Sequence, residues 1–159
     1  MAKQLFTFGY EGLSIDAFLS RLTEEGVGTI VDVRANPISR KRGFSKRSFA
    51  AALNSVGVAY LHLPTLGCPK PIRDRYKIDE NWAAYTKGFL AHLKTQSEVV
   101  SQLAKLAKTS PTCLVCFEAD FTQCHRTYVA RAASSISNLT VAHLTAQTVI
   151  PDTQLHSAA

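Results

Sequence analysis

The sequence predicts an α/β protein: a single-domain three-layer sandwich with a mostly parallel central sheet of about five strands and helices on both faces. Short apolar runs alternate along the chain with segments in which apolar residues recur at helical spacing. Strands that alternate with helices favour parallel pairing and helical layers on both faces of the sheet. A length of 159 residues, 46% of them apolar, is enough for one domain with a substantial core.

The first half of the domain contains three predicted strands, at residues 4–8, 29–33 and 58–63. Between the first two, Ser14 is a suitable N-cap for an amphipathic helix that Gly26 ends. Between the second and third, Ser45 is positioned to cap a helix that Gly57 ends. Two basic segments are predicted to be irregular, at residues 34–45 and 64–77.

The second half begins with apolar residues at helical spacing from Trp82 to Leu106, which predict two helices, or one that is interrupted near residues 94–96. The apolar run 113–117 predicts a fourth strand, which leads through a polar loop into a further helix. A fifth strand is predicted at 139–144. We expect the domain to span residues 1–145 and to be followed by a polar tail, residues 146–159.

Composition excludes several classes of protein. No apolar run approaches the roughly 20 residues of a membrane span, so we expect no membrane association. The chain starts with Met-Ala-Lys-Gln and leads directly into a strand, so no signal peptide is expected. Four unevenly spaced cysteines are not typical of a secreted disulfide framework. These observations predict a cytoplasmic location, and they say nothing about the oligomeric state.

Positive charge is concentrated in one part of the chain. Residues 34–77 contain ten basic residues and one acid, whereas the net charge of the whole chain is +6. A basic stretch on a mildly acidic body indicates an anionic partner, such as a nucleotide or nucleic acid. The alternative is a solvated basic loop without a partner, but arginine outnumbers lysine in this segment, which favours the partner.

Reactive residue types follow the predicted strands. Because parallel strands present their carboxyl ends at the same rim, the loops that follow them converge there. The segment 111–131, PTCLVCFEADFTQCHRTYVAR, is the richest of these loops. We expect a ligand site at this rim, with binding residues Tyr10, Asp32, Arg34, Ser39, Arg40 and Arg126 and catalytic residues Glu118, Cys124 and His125.

The arginines of this set suit an anionic ligand because a guanidinium group can grip phosphate or carboxylate with two hydrogen bonds. Arg126 is expected at a solvated rim, with Asp32, Glu118 or the ligand as its partner. Asp32 is either a general base or, as we favour, the partner of an arginine in a structural ion pair. The ring of Tyr10 can stack on a base, although aromatic residues at strand ends are more often part of the core.

Three side chains offer chemistry. Glu118 at the end of the fourth strand can serve as a general base or nucleophile, or it can orient a neighbouring arginine. His125 is a second acid–base candidate. Cys124 lies near the start of a helix, where the helix dipole and Arg126 would favour the thiolate. A buried cysteine that only packs under the loop explains Cys124 equally well.

No metal and no cofactor are expected. Cys113 and Cys116 form a C-x-x-C pattern, but residues three apart on a strand point to opposite faces. Cys124 and His125 are adjacent in sequence, which makes them poor joint ligands of one tetrahedral metal. The sequence therefore predicts neither a zinc site nor a disulfide between Cys113 and Cys116.

Five motifs in this order resemble the DUF488 family of small bacterial and archaeal proteins of unknown function. They are FGYEG at 8–12, DVR-x-x-P-x-SR at 32–40, Y-x-x-x-P-x-LG at 60–67, C-x-E at 116–118 and CHR at 124–126. The resemblance covers nearly the whole chain to about residue 145, and it implies an α/β fold without an established reaction. The family pattern often has a small residue and a proline where this chain has Phe117 and Phe121, which implies a bulkier loop.

The sequence is compatible with three functions. The first is an enzyme, a hydrolase or transferase, that acts on a phosphate-bearing substrate. The second is a nucleic-acid-binding module without chemistry, in which the basic segment 34–77 follows the backbone. The third is a thiol-dependent enzyme, rhodanese- or phosphatase-like, that uses Cys124.

Overall fold

A computed structural model describes residues 3–153, which form a six-stranded sheet with helices on both faces. The strands are β1 (Lys3–Gly9), β2 (Thr29–Asp32), β3 (Ala59–His62), β4 (Thr112–Cys116), β5 (Leu139–Leu144) and β6 (Val149–Pro151). Their order in the sheet is β3-β2-β4-β1-β5-β6. The first five are parallel, and β6 pairs antiparallel with β5. The predicted α/β class is therefore confirmed, with six strands where about five were expected.

The helices are α1 (Ile15–Glu24), α2 (Lys46–Ser55), α3 (Lys70–Asp79), α4 (Trp82–Lys94), α5 (Ser97–Thr109) and α6 (His125–Ile136). Two buried clusters lie on the two sides of the sheet. One joins β1 to α1 and α2, with Phe8 packed against Phe18 and Phe49 nearby. The other joins the opposite face to α4, α5 and α6, with residues such as Phe89 and Val129. This arrangement is the expected three-layer sandwich.

The two serines predicted as N-caps behave differently. The Ser14 side chain accepts a hydrogen bond from Ala17 N at 3.1 Å, as predicted for an N-cap. Ser45 occupies the N-cap position of α2, but its hydroxyl makes no capping bond. Instead it accepts from Ser39 N and donates to Ser39 O, both at 3.0 Å, and so holds the loop before α2. Among residues 3–153, no helix is both long and apolar enough to cross a membrane.

The prediction that residues 64–77 are irregular was wrong. The segment forms a short 3-10 helix, Pro64–Leu66, and then most of α3. No residue of α3 is fully buried, and only Ile72 and Tyr76 pack partly against the core, so the helix has too narrow an apolar face to be predicted from its sequence. Two exposed ion pairs between residues four apart, Lys70–Asp74 and Arg75–Asp79, run along it and support its helical form.

The sixth strand lies in the segment that was expected to be a polar tail. The guanidinium of Arg21 on α1 donates to the carbonyl oxygens of Thr145 and Thr148, each at 2.8 Å. Asp152, just after β6, forms a two-bond ion pair with Arg131 of α6. Polar contacts rather than apolar burial therefore hold this strand, which explains why hydrophobicity did not reveal it. Residues 154–159 of the expected tail lie outside the described residues.

Candidate active site at the carboxyl rim of the sheet

A cavity of about 730 Å³ lies at the carboxyl ends of the parallel strands, where the sequence predicted a site. Its lining includes six of the predicted residues, namely Tyr10, Arg34, Ser39, Arg40, Glu118 and His125. The other three, Asp32, Cys124 and Arg126, lie behind this lining and are buried. The volume is in the range of small-molecule sites.

Two glycines allow the rim loops to approach closely. A Cβ atom on Gly9 would lie 1.7 Å from the carbonyl oxygen of Glu118, and one on Gly67 would lie 2.3 Å from Ala35 N. Neither position has room for a side chain. These contacts bring the loop after β4 against the end of β1, and the loop after β3 against the loop after β2.

Asp32 and Arg34 form a buried ion pair beside the cavity. Arg34 Nε donates to Asp32 Oδ1 at 2.9 Å and Arg34 Nη2 to Asp32 Oδ2 at 2.7 Å. Arg34 Nη1 also donates to the Tyr10 hydroxyl and to the Phe44 carbonyl. Because these bonds occupy most of its N–H groups, Arg34 has little capacity left for a ligand. Tyr60 donates its hydroxyl proton to Asp32 Oδ2 at 2.7 Å, so Asp32 has the surroundings of a structural carboxylate.

Tyr10 is part of the wall that surrounds this ion pair. Its ring stacks on Phe44 with ring centroids 4.3 Å apart, and only 3% of the residue is exposed. The side chain therefore presents an edge of a packed aromatic pair to the cavity rather than a free platform.

Arg40 is the predicted arginine with the most freedom. It is exposed and lines the cavity. The preceding Ser39 fixes the loop, because its hydroxyl accepts a hydrogen bond from Lys41 N at 3.0 Å. Arg73 and Lys77 of α3 also line the cavity. The cations available to a ligand thus come from the loop after β2 and from a helix that the sequence did not predict.

Four reactive side chains meet on the inner side of the cavity. Cys116 ends β4, and its Sγ lies 3.2 Å from Glu118 Oε2. His125 Nδ1 lies 3.8 Å from Cys116 Sγ and 4.0 Å from Cys124 Sγ. Cys116 and His125 are in the lining, whereas Cys124 is 2% exposed and lies behind them. The thiol that faces the cavity is therefore that of Cys116.

Backbone geometry explains why the adjacent Cys124 and His125 converge. Cys124 is the extended N-cap residue of α6, with φ −140° and ψ 137°, and His125 is the first helical residue. This change of direction turns both side chains toward Cys116. The preceding residues Phe121–Gln123 form a short 3-10 helix.

Ionisation within this group is unequal. Burial opposes ionisation of Cys124, but the hydrogen bond from Cys116 and the charges of Arg126 and His125 outweigh it and lower the Cys124 pKa well below its usual value. The same hydrogen bond, together with burial, raises the pKa of Cys116. The pKa of His125 is raised because the neighbouring thiolate outweighs the effect of burial. Burial also raises the pKa of Glu118.

Arg126 is not at a solvated rim, and that expectation was wrong. The residue is completely buried, and its Nη1 donates to the carbonyl oxygen of Glu118 at 2.5 Å. Its Nε and Nη2 atoms have no hydrogen-bond partner in residues 3–153. The guanidinium thus fixes the backbone of the loop after β4 and supplies a buried positive charge beneath the two cysteines.

From the sequence, Cys116 was considered only together with Cys113 and was not paired with Cys124. The prediction that Cys113 and Cys116 point to opposite faces agrees with the structure, since Cys113 packs in the cluster with α1 and α2. The missed signal is that Cys116 is the last strand residue and shares the C-x-E motif with Glu118. Its side chain then lies at the rim and on the face that α6 covers.

Aromatic residues form the wall opposite the strands. Trp82 and Tyr85 of α4 stack with centroids 4.6 Å apart, and Tyr76 of α3 meets both rings edge-on. All three line the cavity. Tyr85 is buried, whereas Trp82 is only partly covered.

Comparison with known proteins gives one match. The model of the family described as "Domain of unknown function DUF488" matches residues 14–133, which include α1 through most of α6. Searches of curated proteins and of solved structures give no match.

Proposed function

The chain belongs to the DUF488 family, and from its cavity we propose that it is an enzyme acting on a small phosphate-bearing substrate that contains a planar ring, such as a nucleotide. The observation that carries this proposal is one cavity with three kinds of surface. Aromatic rings form one wall, cations stand at the loop after β2 and on α3, and a carboxylate, a thiol and an imidazole lie on the inner side.

Each surface suits a different part of such a substrate. A planar ring gains stacking energy against the edge or face of Trp82 and Tyr76. A phosphate group gains charge-assisted hydrogen bonds from Arg40, Arg73 or Lys77. The cavity is large enough for a ligand of this size, and its mixed lining is typical of small-molecule sites.

Glu118 is the acid–base residue in this proposal. Its carboxylate lines the cavity, and the loop that carries it is fixed by Gly9 on one side and Arg126 on the other. His125 is less suited to proton transfer with substrate, because Nε2 is bonded to the carbonyl of Val33 and Nδ1 faces the two sulfurs. The reaction class that fits is hydrolysis or transfer at the phosphate-bearing group, with Glu118 taking a proton from the attacking oxygen.

A second candidate is a nucleic-acid-binding module without chemistry. It is favoured by exposed basic residues outside the cavity lining, such as Arg42, Arg47 and Arg75. The positive charge of segment 34–77 suits a phosphate backbone as well as a single phosphate group. The cytoplasmic location expected from the four unevenly spaced cysteines is part of either proposal.

Turnover distinguishes the two candidates. The protein is incubated with a panel of nucleoside mono-, di- and triphosphates and short oligonucleotides, and products are identified by mass spectrometry. We expect one member of the panel to be consumed, and Glu118→Gln to bind it with similar affinity but to convert it at least a hundredfold more slowly. Binding without turnover by the wild-type protein would favour the module and overturn the enzyme.

A further inference from the structure

Cys116, Cys124 and His125 offer three metal-ligand atoms in one buried place. The two Sγ atoms and a ring nitrogen all lie within 4.8 Å of one another. In tetrahedral zinc sites the bond lengths to sulfur and nitrogen put these atoms about 3.6 Å apart. The observed sulfur-to-nitrogen distances of 3.8 and 4.0 Å need only small side-chain adjustments to reach that value. We propose that these three residues bind a single zinc ion whose fourth position is open to the cavity.

The orientation of His125 supports this site. Its Nε2 lies 2.8 Å from the carbonyl oxygen of Val33. A carbonyl oxygen only accepts, so Nε2 carries a proton. Nδ1 faces both sulfurs, and it gives up any proton of its own when it binds a metal. Histidine ligands of metals usually donate their other ring N–H to such a backbone carbonyl, which fixes the tautomer and the ring plane. Phe89 packs edge-on against the ring, with centroids 5.3 Å apart, and further limits its rotation.

The three ligands stand on rigid elements. Cys116 is the last residue of β4, which pairs with β1 on one side and β2 on the other. Cys124 and His125 are the N-cap and first residue of α6. Sites built on strands and helices hold ligand geometry better than sites on loops. The other two cysteines are not part of this site. Cys113 faces the opposite side of the sheet, and Cys68 is not among the clustered ligand atoms.

Local charge also balances when zinc is present. Zinc binding requires both cysteines as thiolates and His125 as the neutral ring, and it displaces any protons that they still carry, so two thiolates and Zn²⁺ form a neutral group. The buried guanidinium of Arg126, which acts on both sulfurs, is then matched by the carboxylate of Glu118 beside Cys116. Sulfur and imidazole ligands in tetrahedral arrangement select zinc over the hard cations Mg²⁺ and Ca²⁺.

The fourth position explains what the metal would do. Cys116, Glu118 and His125 all line the cavity, so a zinc ion between the ligands is reached from it. Three protein ligands with an open position are typical of catalytic rather than structural zinc, and such an ion activates a bound water or polarises a substrate oxygen. This role rests on the proposed function, but the zinc site itself is measured without any substrate.

Metal content provides the test. The protein is produced with a removable tag that contains no histidine, purified without chelator, and analysed by plasma mass spectrometry. We expect one zinc ion per chain. Cys116→Ser, Cys124→Ser and His125→Asn should each lower the zinc content at least fivefold, while Cys68→Ser and Cys113→Ser should keep it. Glu118→Gln should also keep it, because its carboxylate is not one of the three ligands.

Cobalt gives a readout that does not depend on folding of the variants. Wild-type protein stripped of metal and titrated with Co²⁺ should develop thiolate-to-cobalt charge-transfer absorption and the intense visible bands of tetrahedral Co²⁺, with an end point at one equivalent. The site would be overturned if the metal-free protein showed no such bands with Co²⁺. It would also be overturned if a double Cys116→Ser, Cys124→Ser variant kept its zinc. Rapid alkylation of Cys116 in protein incubated with excess zinc would also overturn it and would favour a thiol enzyme instead.

Discussion

The backbone of Gly9 lies directly against the carbonyl group of Glu118. A Cβ atom at Gly9 would meet that oxygen at 1.7 Å and the carbonyl carbon at 2.4 Å. Neighbouring hydrogen bonds repeat the contact, since Tyr10 N donates to Cys116 O and Glu11 N to Phe117 O. The end of β1 thus fixes the backbone of the loop that carries the carboxylate of the candidate site.

Replacing Gly9 should therefore damage both fold and site. We expect Gly9→Ala to lower the free energy of unfolding by about 3 kcal/mol, because the new methyl group meets backbone that cannot turn away. Gly57→Ala is a matched control: its φ is +77°, and a Cβ there meets nothing within 4 Å. We expect this control to lower the free energy of unfolding by about 1 kcal/mol, because only backbone strain contributes. Urea unfolding measures both values, and equal losses would contradict the close contact.

Arg126 should behave as a buried structural cation. Arg126→Ala removes a fully buried side chain and its bond to the Glu118 carbonyl. We expect it to lower the free energy of unfolding by about 3 kcal/mol, as for other large-to-small core changes. Arg40→Ala, at an exposed position, should change stability by less than about 0.5 kcal/mol. An Arg126→Ala variant as stable as Arg40→Ala would return Arg126 to a solvated rim.

His143 should make stability depend on pH. Its Nδ1 lies 2.6 Å from the Thr7 hydroxyl, its ring stacks on Phe121, and Asp152 is 3.3 Å from Nε2. Burial lowers the pKa of His143 below its usual 6.5, although Asp152 acts in the opposite direction. The unfolded chain therefore binds a proton below pH 6.5 that the folded chain does not, and the stability present above this pH is lost as the pH falls.

Comparison with a His143→Gln variant isolates this effect. Both proteins are unfolded in urea between pH 8 and 5, with a chelator present so that metal binding does not contribute. We expect the stability of the wild-type protein to fall more steeply below pH 6.5 than that of the variant. If the stabilities of the two proteins change with pH in the same way, His143 takes up protons equally in the folded and unfolded states, and the prediction is wrong. Burial raises the pKa of Asp152, but Arg131 outweighs this effect and lowers it. Asp152 therefore changes the pH dependence of stability only in a more acidic range.

The sequence predicted the fold because strands β1 to β5 are apolar and most helices are amphipathic. It missed α3 and β6 because neither buries a full apolar face: α3 packs only Ile72 and Tyr76 partly against the core, and the Arg131–Asp152 ion pair lies behind β6. Hydrophobic periodicity therefore carries little signal there.

The sequence indicated the rim at which the cavity lies, but not which side chains meet there. Convergence of the strand ends indicated the rim, and Glu118 and His125 line the cavity as expected. Which side chains meet across the rim depends on pairings that sequence spacing does not encode. Cys116 and Cys124 are eight positions apart, and they come together only because a 3-10 turn reverses the loop before α6. Arg126 was placed at a solvated rim because it stands in the opening turn of the helix that follows the fourth strand, whereas the fold buries it.

Fluorescence of Trp82 tests the proposed ligand site most directly. The chain has a single tryptophan, and it lines the cavity. We expect a nucleoside monophosphate to change its emission in a saturable manner, and the corresponding nucleoside to bind much more weakly because it lacks the phosphate.

Two neighbouring arginines provide the matched pair for this titration. Arg40 and Arg42 are both exposed, but of these two Arg40 is the one that lines the cavity. We predict that Arg40→Ala weakens nucleotide affinity about tenfold while Arg42→Ala leaves it unchanged. If no nucleotide perturbs Trp82, or if both variants weaken binding equally, the cavity is not the site of a phosphate-bearing ligand and the account is contradicted.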